Sequence, residues 1–146
     1  MKTIRPNVFE TNSSSDHLIC FPSVSMCDNI SITPQTIYIN GDGEYGWGYE
    51  ILNTPEALLD YWLVAVKTQL ADEYTEEART AVVDYFRGHG IKLHLPETID
   101  DVTGYIDHQS VNDASAMLAG FIANPEALFK FAFCPNTKII IDNDNH

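Results

Sequence analysis

Thr54-Pro55-Glu56-Ala57-Leu58-Leu59-Asp60-Tyr61-Trp62-Leu63-Val64-Ala65-Val66 reads as the start of a helix set between strand-like segments, and that placement decides the fold class. Thr54 has the side-chain oxygen of an N-cap. Pro55 suits the first helical position, where a missing N–H costs nothing, and Glu56 lies at the positive end of the helix dipole. Leu58, Leu59, Trp62, Leu63, Val66 and Leu70 recur at helical spacing and make a broad apolar face with Trp62 as its core anchor. Thr75-Glu76-Glu77 opens a second helix that carries Ala78, Val82, Tyr85 and Phe86 on one side and closes at Gly88. The short link between the two predicts an antiparallel helical hairpin.

Working outward, the flanks read as strands. Upstream, Leu18–Phe21 is apolar and stopped by Pro22, and Thr36–Asn40 is β-branched and aromatic. Asn40-Gly41-Asp42-Gly43 tolerates positive φ and predicts a hairpin turn. Glu44–Ile51 interleaves glycines with aromatics, which suits a bent strand. Downstream, Ile91–Leu95 alternates with period two and turns Lys92 and His94 outward, so His89 and His94 share no face. A helix over 113–123 and a second one starting at Asn124-Pro125-Glu126 precede the apolar strand Lys138–Ile141. These elements predict one α+β domain over residues 1–146: a mostly antiparallel sheet of about five strands with the helical pair and the later helices packed on it. A partly parallel sheet is the alternative, because helices fall between strands.

The chain has 146 residues and 45% hydrophobic residues, enough for one core and too few for two. Its charge is lopsided, with 21 Asp plus Glu against 8 Lys plus Arg and a formal net charge of −13. Such a surface repels phosphate backbones, which excludes broad direct nucleic-acid binding and favours a basic protein partner. Cys20, Cys27 and Cys134 form no CxxC pair; Cys20 and Cys134, among apolar neighbours, read as core thiols. No run approaches the ~20 apolar residues of a membrane span, and no cleavage site follows Lys2 and Arg5. The expectation is a reduced, intracellular protein with no membrane contact.

Two polar clusters carry the residues able to do chemistry. Asn12-Ser13-Ser14-Ser15-Asp16-His17 runs into the first strand, and its hydroxyls and amide favour a turn whose N–H groups could face an anion. Gly104-Tyr105-Ile106-Asp107-His108-Gln109-Ser110 is the second. A histidine with a free pKa of ~6.5 is a natural proton shuttle, and a carboxylate can orient it. His17, Asp107 and His108 are therefore the catalytic candidates, with a serine hydroxyl as a possible nucleophile or anchor. Asn12, Ser13, Ser14, Ser15, Glu44, Trp47, Gln109 and Ser110 are the binding candidates, and the two clusters are expected to meet at one edge of the sheet. Turn and capping hydrogen bonds explain the same residues without a site. No cofactor is implied: the nucleotide-binding glycine motifs are missing, so a phosphate site would rely on the Ser13–Ser15 backbone with Arg5 or His17. Asn40, Asp42 and Glu44, like Asp142 and Asp144, have calcium-like spacing. The closing glutamate is missing, however, and no Cys–His cluster suits zinc, so no metal is expected.

Val8-Phe9-Glu10-Thr11-Asn12-Ser13-Ser14-Ser15-x-His17, then Gly43-Glu44-Tyr45-Gly46-Trp47, then Gly104–Ser110 and finally Asn143-Asp144-Asn145 resemble successive signatures of a family of uncharacterised tailed-bacteriophage and prophage proteins. Asp16 departs from the first signature, where Ser or Thr is expected. The resemblance implies a phage-type product in the bacterial cytoplasm and carries no activity. Two functions follow as expectations. One is a non-enzymatic acidic protein engaging a basic, nucleic-acid-handling host protein, similar in size and charge to anti-CRISPR and anti-restriction proteins. The other is a small hydrolase or transferase acting on a nucleotide through the His/Asp/Ser site. The oligomeric state is not legible.

Overall fold

A computed structural model describes residues 15–20, 30, 32–46, 49–106, 113–135 and 137–143. Its elements run β1 (Ser15–Cys20), β2 (Gln35–Tyr38), β3 (Glu44–Tyr45), β4 (Glu50–Leu52), α1 (Pro55–Gln69), α2 (Glu76–Arg87), β5 (Ile91–His94), β6 (Tyr105–Ile106), α3 (Asp113–Ala119), α4 (Pro125–Phe133) and β7 (Lys138–Asn143).

Local chemistry sets the helix starts. The Thr54, Thr75 and Asn124 side chains accept hydrogen bonds from the N–H groups of Ala57, Ala78 and Ala127, and Pro55 and Pro125 open their helices. Each cap satisfies a donor that the helix cannot, worth ~1 kcal/mol. One core lies beneath: Trp62 is 0% exposed and packs with Leu58, Leu59, Leu63, Phe86, Leu118, Leu128, Phe131 and Ile139. Its indole Nε1 is buried without a hydrogen-bond partner among the described residues.

The single, mostly antiparallel sheet of the sequence reading is not what forms. β1, β7 and β4 make a three-stranded antiparallel sheet with β7 in the centre, while β2–β5 and β3–β6 are separate parallel pairs. The reason is connectivity. β2 and β3 reach β5 and β6 only across α1 and α2, and a crossover of that length returns the chain in its original direction. Asn40–Gly43 is accordingly no hairpin turn, since β2 and β3 on either side of it each pair elsewhere. The stretch read as one bent strand is divided, with β3 in one sheet and β4 in another.

The helical hairpin is also corrected. α1 packs chiefly on α3, with β6 and α4 beside it, whereas α2 packs on β5 and α4. A 3-10 turn over Ala71–Glu73 separates them and redirects the chain. β5 behaves as its alternation predicts, with Ile91 and Leu93 buried and Lys92 and His94 exposed. β7 is fully buried on one face only: Ile139 and Ile141 are buried, Lys138 and Ile140 half-buried. Cys20 is a free thiol, but Cys134, expected as a core thiol, is buried and disulfide-bonded. No described helix is long and apolar enough to cross a membrane.

Candidate functional site

Asn12, Ser13, Ser14, Trp47, Asp107, His108, Gln109 and Ser110 lie outside the described residues. Ser15 and His17 are in β1, opposite Asn143 and Ile141 of β7. Glu44 is exposed in β3 and stands opposite Tyr105 of β6, the second residue of the Gly104–Ser110 cluster. His17 belongs to a different sheet.

What fixes the β3–β6 pair is Asp60 of α1, a residue the sequence reading passed over. Its Oδ1 accepts from the Gly41 N–H at 2.9 Å, and its Oδ2 accepts from the Gly43 N–H at 3.2 Å and from the Tyr45 hydroxyl at 2.6 Å. Gly41 takes φ +69°, a conformation cheap only for glycine. Its carbonyl accepts from the Gly104 N–H at 2.7 Å, and the Gly43 carbonyl accepts from the Tyr105 N–H at 3.0 Å. A Cβ on Gly104 would collide with the Gly43 carbonyl, so the two segments approach as closely as backbones can. Burial, and after it the hydrogen bond and negative charge of Asp60, push the Tyr45 hydroxyl far above the usual tyrosine range. Such a phenol keeps its proton, and both carboxylate oxygens are occupied. The cluster is a structural clamp that joins α1 to the β3–β6 pair.

Two further surfaces, of opposite sign, stand out among the described residues. The acidic one follows the turn into α2: Asp72, Glu73, Glu76 and Glu77 are exposed, as are Glu97, Asp100 and Asp101 on the segment after β5. The Tyr74 hydroxyl ties the two segments by donating to the Pro96 carbonyl at 2.6 Å. Glu76 and Glu97 line one shallow hollow, and Glu76, Glu77 and Asp84 line the next along α2. The cationic one is a groove between α2 and β5 lined by Arg79, Val83, Arg87, Lys92, Leu93, His94 and Leu95. The sequence held a signal for it: Arg79, Val83 and Arg87 recur every fourth residue, hence on one helical stripe, and Lys92 and His94 share the outward side of β5. The sequence points instead to the Ser13–Ser15 loop, Arg5 and His17 for anions, and none of these is among the described residues that line the groove.

His89 is held apart from this groove. Its Nδ1 lies 3.0 Å from the Tyr85 carbonyl and its ring packs on Tyr85 and Phe129. Among the described residues no group of three His, Cys, Asp or Glu could hold a metal ion. Comparison with protein-family models, curated proteins and solved structures finds no match to this chain.

Proposed function

We propose that this is a phage-type accessory protein whose acidic surface engages a basic, nucleic-acid-handling host protein without catalysing a reaction. The observation that carries the reading is the set of exposed carboxylates Asp72, Glu73, Glu76 and Glu77, joined across Tyr74 by Glu97, Asp100 and Asp101, in a chain of net charge −13. Carboxylates held on two packed segments present a fixed field to a cationic surface, which speeds encounter and disfavours acidic competitors. A protein of this charge can occupy a surface built for nucleic acid while being repelled by nucleic acid itself.

Capture from a bacterial lysate at about 0.05 M and 0.5 M salt tests this, because exposed charges are screened beyond ~10 Å at 0.1 M. A basic nucleic-acid-binding protein should be retained at low salt, released at high salt, and lost by the Glu76→Gln, Glu77→Gln, Glu97→Gln, Asp100→Asn variant. Equal retention by that variant would refute the reading. Residence in the host cytoplasm is proposed with it, on the resemblance to phage proteins. The disulfide at Cys134 bears on that location, since such bonds belong to oxidising compartments. Fractionation of host cells is expected to recover the chain in the cytoplasm. Recovery of the chain only outside the cytoplasm would refute that residence.

A further inference from the structure

We propose that the groove between α2 and β5 binds a phosphate dianion, free or as the terminal group of a small organic molecule. Its cations are concentrated: Arg79, Arg87 and Lys92 are three of the eight Lys and Arg residues in a chain of net charge −13. The groove holds about 400 Å³, within the range of small-ligand sites.

Arg79 decides the ligand chemistry. Its Nε is buried and makes no hydrogen bond among the described residues. A buried donor left unpaired costs ~1–3 kcal/mol, more where it is charged, and Arg79, which lines the groove, recovers that cost by turning Nε toward a bound acceptor. A guanidinium presents donors in a planar fork that matches two oxygens of one phosphate, a geometry that no lysine reproduces.

The groove's lip and surroundings limit the rest of the ligand. Arg87 already donates to Asp84 at 2.8 Å, so its charge is partly answered, and Lys92 and His94 stand exposed at the lip. The His94 ring stacks on Tyr38 of β2 at 4.3 Å between centroids and 9° between planes, and Tyr38 is 68% exposed. This flat pair could pack against an organic group carried by the phosphate. Glu76 and Glu97 flank Arg79 in the adjoining hollow, which penalises a polyanion that runs past the groove. The site therefore suits one small phosphate and not a nucleic-acid strand, and it stands independently of the acidic-surface reading.

Calorimetric titration of the full chain with inorganic phosphate, adenosine monophosphate and adenosine tests this. Saturable binding of both phosphates, and none of adenosine, is expected. Arg79→Gln should weaken both by about tenfold or more, and Arg79→Lys by nearly as much, because the fork is lost while the charge stays. Lys92→Gln, exposed on its strand, should weaken binding about threefold and serves if the Arg79 variants fail to fold. Tighter binding of adenosine monophosphate that Tyr38→Ala abolishes identifies an organic monoester; equal binding identifies free phosphate. No saturation by either, binding untouched by both Arg79→Gln and Lys92→Gln, or tighter binding of a single-stranded oligonucleotide would overturn the proposal.

Discussion

Asp60 on α1 and Arg79 on α2 are both half-buried charges on helices that pack against strands, and they are treated in opposite ways. Asp60 accepts three hydrogen bonds from Gly41, Gly43 and Tyr45. Arg79 keeps a buried Nε with no hydrogen-bond partner among the described residues. The first carboxylate is fully engaged inside the fold, whereas the second side chain keeps one donor that no described residue engages. A charged residue's burial therefore says little about its role until its partners are counted: a satisfied group is architecture, and an unsatisfied one is an opening for a ligand.

Removing each charge should expose that difference. Asp60→Ala is the most damaging change expected. It strips the acceptor from two backbone donors and a buried phenol, and urea unfolding should show a loss of about 3 kcal/mol or more. A loss under about 1 kcal/mol would mean that the clamp is ornamental and would collapse the contrast. Gly104→Ala comes next, at roughly 2 kcal/mol, because the new methyl group meets the Gly43 carbonyl that the clamp holds in place. Asp60→Ala should relieve part of that clash, so the double variant should cost less than the sum of the two.

Alkali probes the clamp more gently. Burial raises the pKa of the Tyr45 and Tyr61 hydroxyls, and pushes that of Tyr74 up to about 12 against a smaller lowering by Arg79. These phenols stay protonated in the folded chain while the unfolded chain loses their protons near pH ~10. The folded state then binds more protons, so stability is full below pH ~10 and falls as pH rises beyond it. Tyr45→Phe should be less stable at neutral pH and decline less steeply in alkali, measured as the urea midpoint against pH. An equal decline would place Tyr45 outside the titrating set.

The smallest expected effect is the most telling for the comparison. Arg79→Met should change stability by about 0.5 kcal/mol or less, or raise it, since an unanswered buried donor is replaced by an apolar chain of similar length. A loss comparable to that of Asp60→Ala, seen in the same urea titration, would make Arg79 another architectural charge.

What the sequence determined by itself was local. Thr54, Thr75 and Asn124 mark helix starts because a cap needs only a side-chain oxygen and an N–H within the next three residues. The burial of Ile91 and Leu93 and the exposure of Lys92 and His94 follow from the two-residue period of a strand, whichever strand lies beside it. Only the tertiary structure decided which strands pair. Asn40–Gly43 has the chemistry of a hairpin turn, but glycine's tolerance of positive φ serves a clamp as readily as a turn, and the Asp60 carboxylate and the Gly104 backbone that select the clamp lie far along the chain. The same holds for the surfaces. Net charge is written in composition, whereas the meeting of Arg79 with Lys92, and of Glu76 with Glu97, depends on α2 lying against β5 and on Tyr74 reaching Pro96. Periodicity reports which side of an element faces inward; it cannot report what waits on the other side, because that contact is made by residues distant in the chain.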